Sequence, residues 1–217
     1  MSCSVAIHVL TGSGRLRTRA ARIAADVRSA ADACLGRLPL TGDVDIVVRD
    51  DPRWAIPELG IGGLAPDAHT IFVALDPDNE RFKTALEPEL FRTVAHELHH
   101  VARRQASQRG RTLLDALIHE GLVDHFAIEL TGIEPPLWVL ALCPEQTTRL
   151  LARAREEYDS HHYSHIAWFF GSDELDIPRW AGYSLGFKLV GDYLACNPTA
   201  KASELAAEPA ATLRPSD

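Results

Sequence analysis

Apolar residues recur along the chain with two different periods. Residues 4–10 and 44–49 ("VDIVVR") are short, apolar-rich runs that predict strands. Between them, over about residues 15–38, Ala, Arg and Leu repeat at helical spacing. A stretch dense in Pro and Gly follows ("DDPRWAIPELGIGGLAPDAH") and predicts a loop, and "TIFVAL" (Thr70–Leu75) predicts a further strand closed by "DPDN". From there on the pattern is helical: 87–107, 112–130, a short apolar piece near 136–142, then 144–158 and 179–195. Gly110, Gly132, Pro136, Pro144 and Pro178 punctuate the joins. The expected class is α+β, with a small N-terminal sheet and a mostly helical second half. One domain is expected over residues 1–197, with 198–217 an Ala-rich tail that frays.

Composition narrows the function. The chain has 217 residues, 46% hydrophobic and 24% charged, as a folded globular protein does. With 22 basic against 30 acidic residues the net charge is −8. That excess of negative charge argues against nucleic acid or an anionic membrane as partner. The opening residues hold only one short apolar run, at 5–10, so neither a secretory leader nor a membrane span is expected. Their Arg-rich, acid-poor composition mimics a transit peptide, but the run reads better as a first strand. Cys3, Cys34, Cys143 and Cys196 are scattered without paired spacing. Free thiols in a reducing compartment are expected, the cytoplasm by default, and no cysteine-based zinc site.

The candidate chemistry lies in "TVAHELHHVARR" (residues 93–104). His96-Glu97-Leu98-His99-His100 contains H-E-x-x-H, and the i, i+4 spacing sets His96 and His100 on one helix face, as two ligands of one zinc require. Leu90, Phe91, Val94, Leu98 and Val101 form the apolar stripe of the same helix, with the two histidines opposite it. A solvated polar face that happens to carry histidines is the competing reading. The next helix tips the balance. In "GRTLLDALIHEGLVDHFAIELTG" the apolar face holds Leu113, Ala116, Leu117, Val123 and Ala127, and within it sit Glu120 and Asp124. Two carboxylates one turn apart on an apolar stripe repel each other and resist desolvation unless something positive faces them. Glu120 is therefore the expected third ligand. Asp124 is expected to accept the free N–H of a zinc-bound histidine, His96 being the first choice.

H-E-x-x-H followed by a glutamate about twenty residues on, with an acid four further, resembles the gluzincin metallopeptidases. The wider context resembles a narrower group, the YjaZ-type predicted zinc-dependent proteases, known chiefly as a domain of unknown function. "GIGG", "TIFVALDP", "TVAHELHHVAR", "LLDALIHEGLVDHF" and "AGYSLGFKLVGDYL" carry the likeness, in that order over roughly residues 58–195. The resemblance implies a zincin-like fold, with 87–107 as active-site helix and 112–130 as ligand helix, and a single Zn2+.

Two histidines and one glutamate leave a fourth zinc position for water, whose pKa the metal lowers towards about 7. Glu97, beside His96 but turned round the helix, is the expected general base. An oxyanion donor is still needed. Tyr183 in "AGYSLG" is the first choice, with core packing an equal alternative; His161, His162 and His165 of "HHYSH" are its rivals. His99 is expected behind a ligand or at the surface, and His119 in a structural place. Thr70, Ile71, Phe72 and Val73 are expected to bind substrate as an edge strand with free backbone groups. The leading function is a zinc metallopeptidase acting on peptides or unfolded protein. A zinc hydrolase of a non-peptide amide or ester is the second reading, and a non-catalytic zinc-stabilised interaction module the third; an intact Glu97 argues against the last.

Overall fold

The computed structural model describes residues 3–108 and 110–215, which fall into two compact units, one within Met1–Ser107 and the other within Gln108–Asp217.

The first unit is a four-stranded sheet backed by two helices. Its strands are β1 (Val5–Val9), β2 (Val44–Asp50), β3 (Ile61–Leu64) and β4 (Thr70–Leu75), in the order β1-β2-β4-β3. β1, β2 and β4 run parallel and β3 is antiparallel to β4. Alternation decides which face is buried: Ile7, Ile46 and Ile71 stand in one row and Val9, Val48 and Val73 in the next. Ile46, Val48, Ile71 and Val73 are fully buried. Helix α1 (Ala20–Leu35) buries Ile23, Val27, Ala30, Ala31 and Cys34, a stripe at helical spacing, and packs on β1 and on α2. Burial pushes the Cys34 thiol up to about 12, so it stays protonated.

Helix α2 (Glu80–Gln105) lies on β3 and β4. It begins seven residues before the expected start at 87. Asn79 caps it by accepting the Arg81 N–H at 2.9 Å, and Phe82 is buried beneath the Arg19 guanidinium. Pro88, which read as a boundary, is accommodated inside the helix. Arg103 and Arg104 lie in its last turn, where the helix dipole favours positive charge.

Two further expectations fail in this unit. β3 falls in the stretch predicted as loop. It is only four residues long and carries two glycines, so it offers little alternation to read. β4 was expected at a sheet edge. It lies between β2 and β3 and pairs with both, so the backbone of Thr70, Ile71, Phe72 and Val73 is committed to the sheet. The edge strand is β3.

The second unit is helical and built round α3 (Leu113–Thr131). Thr112 and Asp115 close a capping box at its start, and Gly132 at φ 65° ends it in the left-handed conformation. Leu114, Ile118, Leu122 and Phe126 are buried along with the expected Leu113, Leu117 and Val123. The helix is thus apolar nearly all round, as the centre of a bundle is. Around it stand a 3-10 turn at Leu137–Leu140, α4 (Pro144–Glu157), α5 (His165–Phe170) and α6 (Ala181–Cys196). α5 had no counterpart among the expected elements; six residues are too few to show a period.

Helices α3 and α6 meet through glycine. A Cβ on Gly121 would collide with the Gly186 carbonyl, and one on Gly186 with the Leu117 carbonyl. The segment after Pro198, expected to fray, packs instead. Leu205, Ala206, Ala210 and Leu213 are buried in two 3-10 turns, Ser203 Oγ donates to Glu129 at 2.7 Å, and Arg214 holds Asp159. Among the described residues no helix is long and apolar enough to cross a membrane.

Gly186→Ala should force α3 and α6 apart, because the obstruction is backbone that cannot rotate away. The expected loss is about 1–3 kcal/mol or more, read by chemical denaturation. Unchanged stability would contradict the close helix crossing.

Candidate functional site

The i, i+4 spacing on α2 does what it predicts: the His96 and His100 rings lie 4.9 Å apart, at 73° to one another, each half-buried. Leu90, Val94, Leu98 and Val101 of the same helix are fully buried and fix its rotation; Phe91 is half-buried. Glu97 is 6% exposed. Its carboxylate rests on β3 at Gly63, where a Cβ would collide with Oε1 and lie 2.8 Å from Cδ. The glycine-rich stretch therefore has a steric reason: Gly63 leaves room for the carboxylate against the strand. His99 is fully buried, which excludes the surface position allowed for it. Arg103, one turn further on, is buried as well.

In the second unit α3 carries Glu120, half-buried, and Asp124, fully buried, one turn apart. Trp138 Nε1 donates to Asp124 Oδ2 at 2.8 Å. The indole is held in turn from α6: Ser184 Oγ donates to the Trp138 carbonyl at 2.9 Å and accepts the Ala141 N–H at 3.2 Å. Trp138 escaped the sequence reading. Its signal was present, since a tryptophan in a short apolar piece needs an acceptor for its N–H and a buried aspartate needs a donor.

The sequence-predicted oxyanion donors separate. Tyr183 is half-buried, edge-on to Phe169 at 5.1 Å and to Trp138 at 6.5 Å, which is the packing alternative. His161 and His162 are exposed. His165 is seated differently: its ring stacks on Phe169 at 4.4 Å, and its Nδ1 lies 3.4 Å from the Tyr163 hydroxyl. Burial of that stacked ring lowers the His165 pKa, against an opposing pull from the Glu120 charge. Burial raises that of Tyr163, helped by Asp115 and Glu120. Both side chains therefore lie within electrostatic reach of Glu120.

His125 belongs to the scaffold. It stacks flat on Phe187 at 4.0 Å, and its Nε2 donates to the Phe187 carbonyl at 2.9 Å, tying α3 to α6. Burial holds its pKa down, so the ring stays neutral. His119 is half-buried on α3, and Gly110 lies against its ring.

Trp138→Phe keeps the ring but removes the donor from a buried carboxylate. We expect a loss of about 1–3 kcal/mol, measured by chemical denaturation. A variant as stable as the parent would show that the Trp138–Asp124 bond is not needed.

No curated protein and no solved structure matches the chain. A family model described as predicted Zn-dependent protease (DUF2268) matches residues 27–214, a span that takes in α2, α3 and the 3-10 turns of the C-terminal segment. The chain belongs to the DUF2268 family of predicted Zn-dependent proteases.

Proposed function

We propose that the protein is a zinc metallopeptidase of the gluzincin type, with one Zn2+ held by His96, His100 and Glu120 and with Glu97 as general base. The observation that carries this reading is a coincidence of donors. One ligand atom from each of His96, His100 and Glu120 lies within 4.8 Å of the others, and the residue after His96 is a nearly buried glutamate. Two imidazole nitrogens and a carboxylate oxygen suit zinc and leave a position open. Zinc bound there supplies Lewis acidity, which brings the pKa of a water down to about 7.

The remaining chemistry belongs to the chain. Glu97 accepts the proton of the attacking water and later passes it to the leaving nitrogen. Gly63 lets its carboxylate lie against β3, so the base works from a fixed place. Asp124, anchored by Trp138, accepts the N–H of His96 and holds that ring in the ligating tautomer. A peptide or unfolded segment is favoured over a smaller amide by the sheet. β3, not β4, is the edge strand beside Glu97, and an extended peptide can add to its backbone. The cytoplasm is the proposed compartment, on the strength of four free cysteines.

The test is metal content and cleavage of a peptide library by the protein purified without chelator. Glu97→Gln should keep one zinc and lose hydrolysis by about 10²–10⁴-fold. Replacing His96, His100 or Glu120 by Ala should lower zinc content itself. A wild type without zinc, or an active Glu97→Gln variant, would overturn the assignment. Gly63→Ala separates position from chemistry. It keeps Glu97 but displaces the carboxylate, so kcat should fall by about 10²-fold with zinc retained, as a misplacement near 1 Å does. Unaltered kcat would mean that β3 does not position the base.

A further inference from the structure

The proposed mechanism leaves the oxyanion without a protein donor. A carbonyl attacked beside Glu120 develops negative charge on its oxygen, and a fixed N–H or O–H aimed at that charge is worth about 10²–10³-fold in kcat. Tyr183, the donor expected from the sequence, is wedged between the Phe169 and Trp138 rings. Twenty residues earlier, another pair of side chains is built for the task.

Tyr163 and His165 flank Ser164, whose Oγ accepts the Ala167 N–H at 3.2 Å and caps α5. The cap sets the course of the backbone on which both residues sit. The Tyr163 hydroxyl reaches His165 Nδ1 at 3.4 Å, and the imidazole lies on Phe169 at 4.4 Å with 21° between the planes. Phe169 is itself fully buried, with its ring against Gly182, where a Cβ would lie 2.7 Å away. The imidazole is thus held in plane by a ring that cannot move and in rotation by a hydroxyl. Both residues also lie within reach of the Glu120 charge. His161 and His162, the other histidines of the segment, are exposed and have no ring contact among those described.

We propose that His165 is a catalytic residue that donates its Nε2–H to the developing oxyanion, and that Tyr163 is the positioning residue that selects this tautomer. A neutral imidazole has one donor nitrogen and one acceptor. When the Tyr163 O–H donates to Nδ1, the ring proton resides on Nε2, on the far side of the ring and free to meet a substrate oxygen. The phenol is disposed to donate, because burial and the neighbouring carboxylates keep it protonated. The long Tyr163–His165 separation is that of a site awaiting substrate, where such bonds tighten on binding. The assignment rests on the zinc peptidase reading above.

Three readouts on the full-length protein decide it. Nitrogen-15 NMR of the metal-free protein should show His165 as the Nε2–H tautomer, mixed with the Nδ1–H form in Tyr163→Phe. In the zinc-loaded protein, His165→Phe keeps the stacked ring and removes the donor. It should hold one zinc and keep KM within about 3-fold, while kcat and the affinity for a phosphonamidate peptide, a tetrahedral anion, both fall about 10²–10³-fold. His165→Gln, which returns an N–H donor, should recover part of both losses. An Nδ1–H tautomer in the metal-free protein, or a His165→Phe variant with wild-type kcat and analogue affinity, would overturn the proposal. Tyr183→Phe should match wild type in both. A wild type that holds zinc yet cleaves no peptide defeats the parent reading and the catalytic role with it, whatever tautomer NMR reports.

Discussion

A carboxylate taken out of water must meet a donor or a cation, at a penalty of several kcal/mol if it does not. Glu89 lies between Arg92 at 3.3 Å and Arg81 at 3.5 Å, and Asp51 between Arg49 and Arg53. Those are ordinary ionic solutions. Asp124 and Glu97 are buried in a different way. The first is met by a neutral indole N–H, and the second rests on a strand at a glycine. Neither arrangement neutralises a charge. A divalent cation ligated by His96, His100 and Glu120 makes sense of both, since Asp124 then faces the imidazole of a metal ligand and Glu97 faces a polarised water. In the proposed reading, the burial of these acids and the presence of the metal are one fact.

Glycine makes the geometry possible in each unit. At Gly63 a missing Cβ leaves space for a carboxylate; at Gly121 and Gly186 two missing Cβ atoms let helix backbones touch. The second contact brings α6 close to α3, and α6 supplies Ser184, which holds Trp138, which holds Asp124. The chain from a helix crossing to a single carboxylate oxygen runs through three side chains. A change far from the chemistry, such as a methyl group at Gly186, therefore reaches the acid.

The parts of the molecule that are written in local spacing were legible. The extent of α3 agrees within a residue, and β4 was placed over Thr70–Leu75 as found. The His96–His100 pair follows from 3.6 residues per turn and from nothing else. Strand order is not local, so the position of β4 inside the sheet was beyond reach, and the substrate role given to Thr70–Val73 fell with it. β3 and α5 are too short to carry a period. The C-terminal segment looked loose because alanine is a weak hydrophobic signal, yet Ala206 and Ala210 are buried beside Leu205 and Leu213. Trp138 and His165 were missed or left among rivals because their partners, Asp124 and Phe169, are distant in helix phase or lie in an element that was not foreseen.

X-ray absorption at the zinc edge of the purified protein tests the central claim most directly. A His-His-Glu centre predicts two imidazole nitrogens at about 2.0–2.1 Å and oxygen scatterers at about 2.0–2.2 Å, with no sulfur. Sulfur scattering at about 2.3 Å, as cysteine ligands give, or no zinc edge at all, would contradict it.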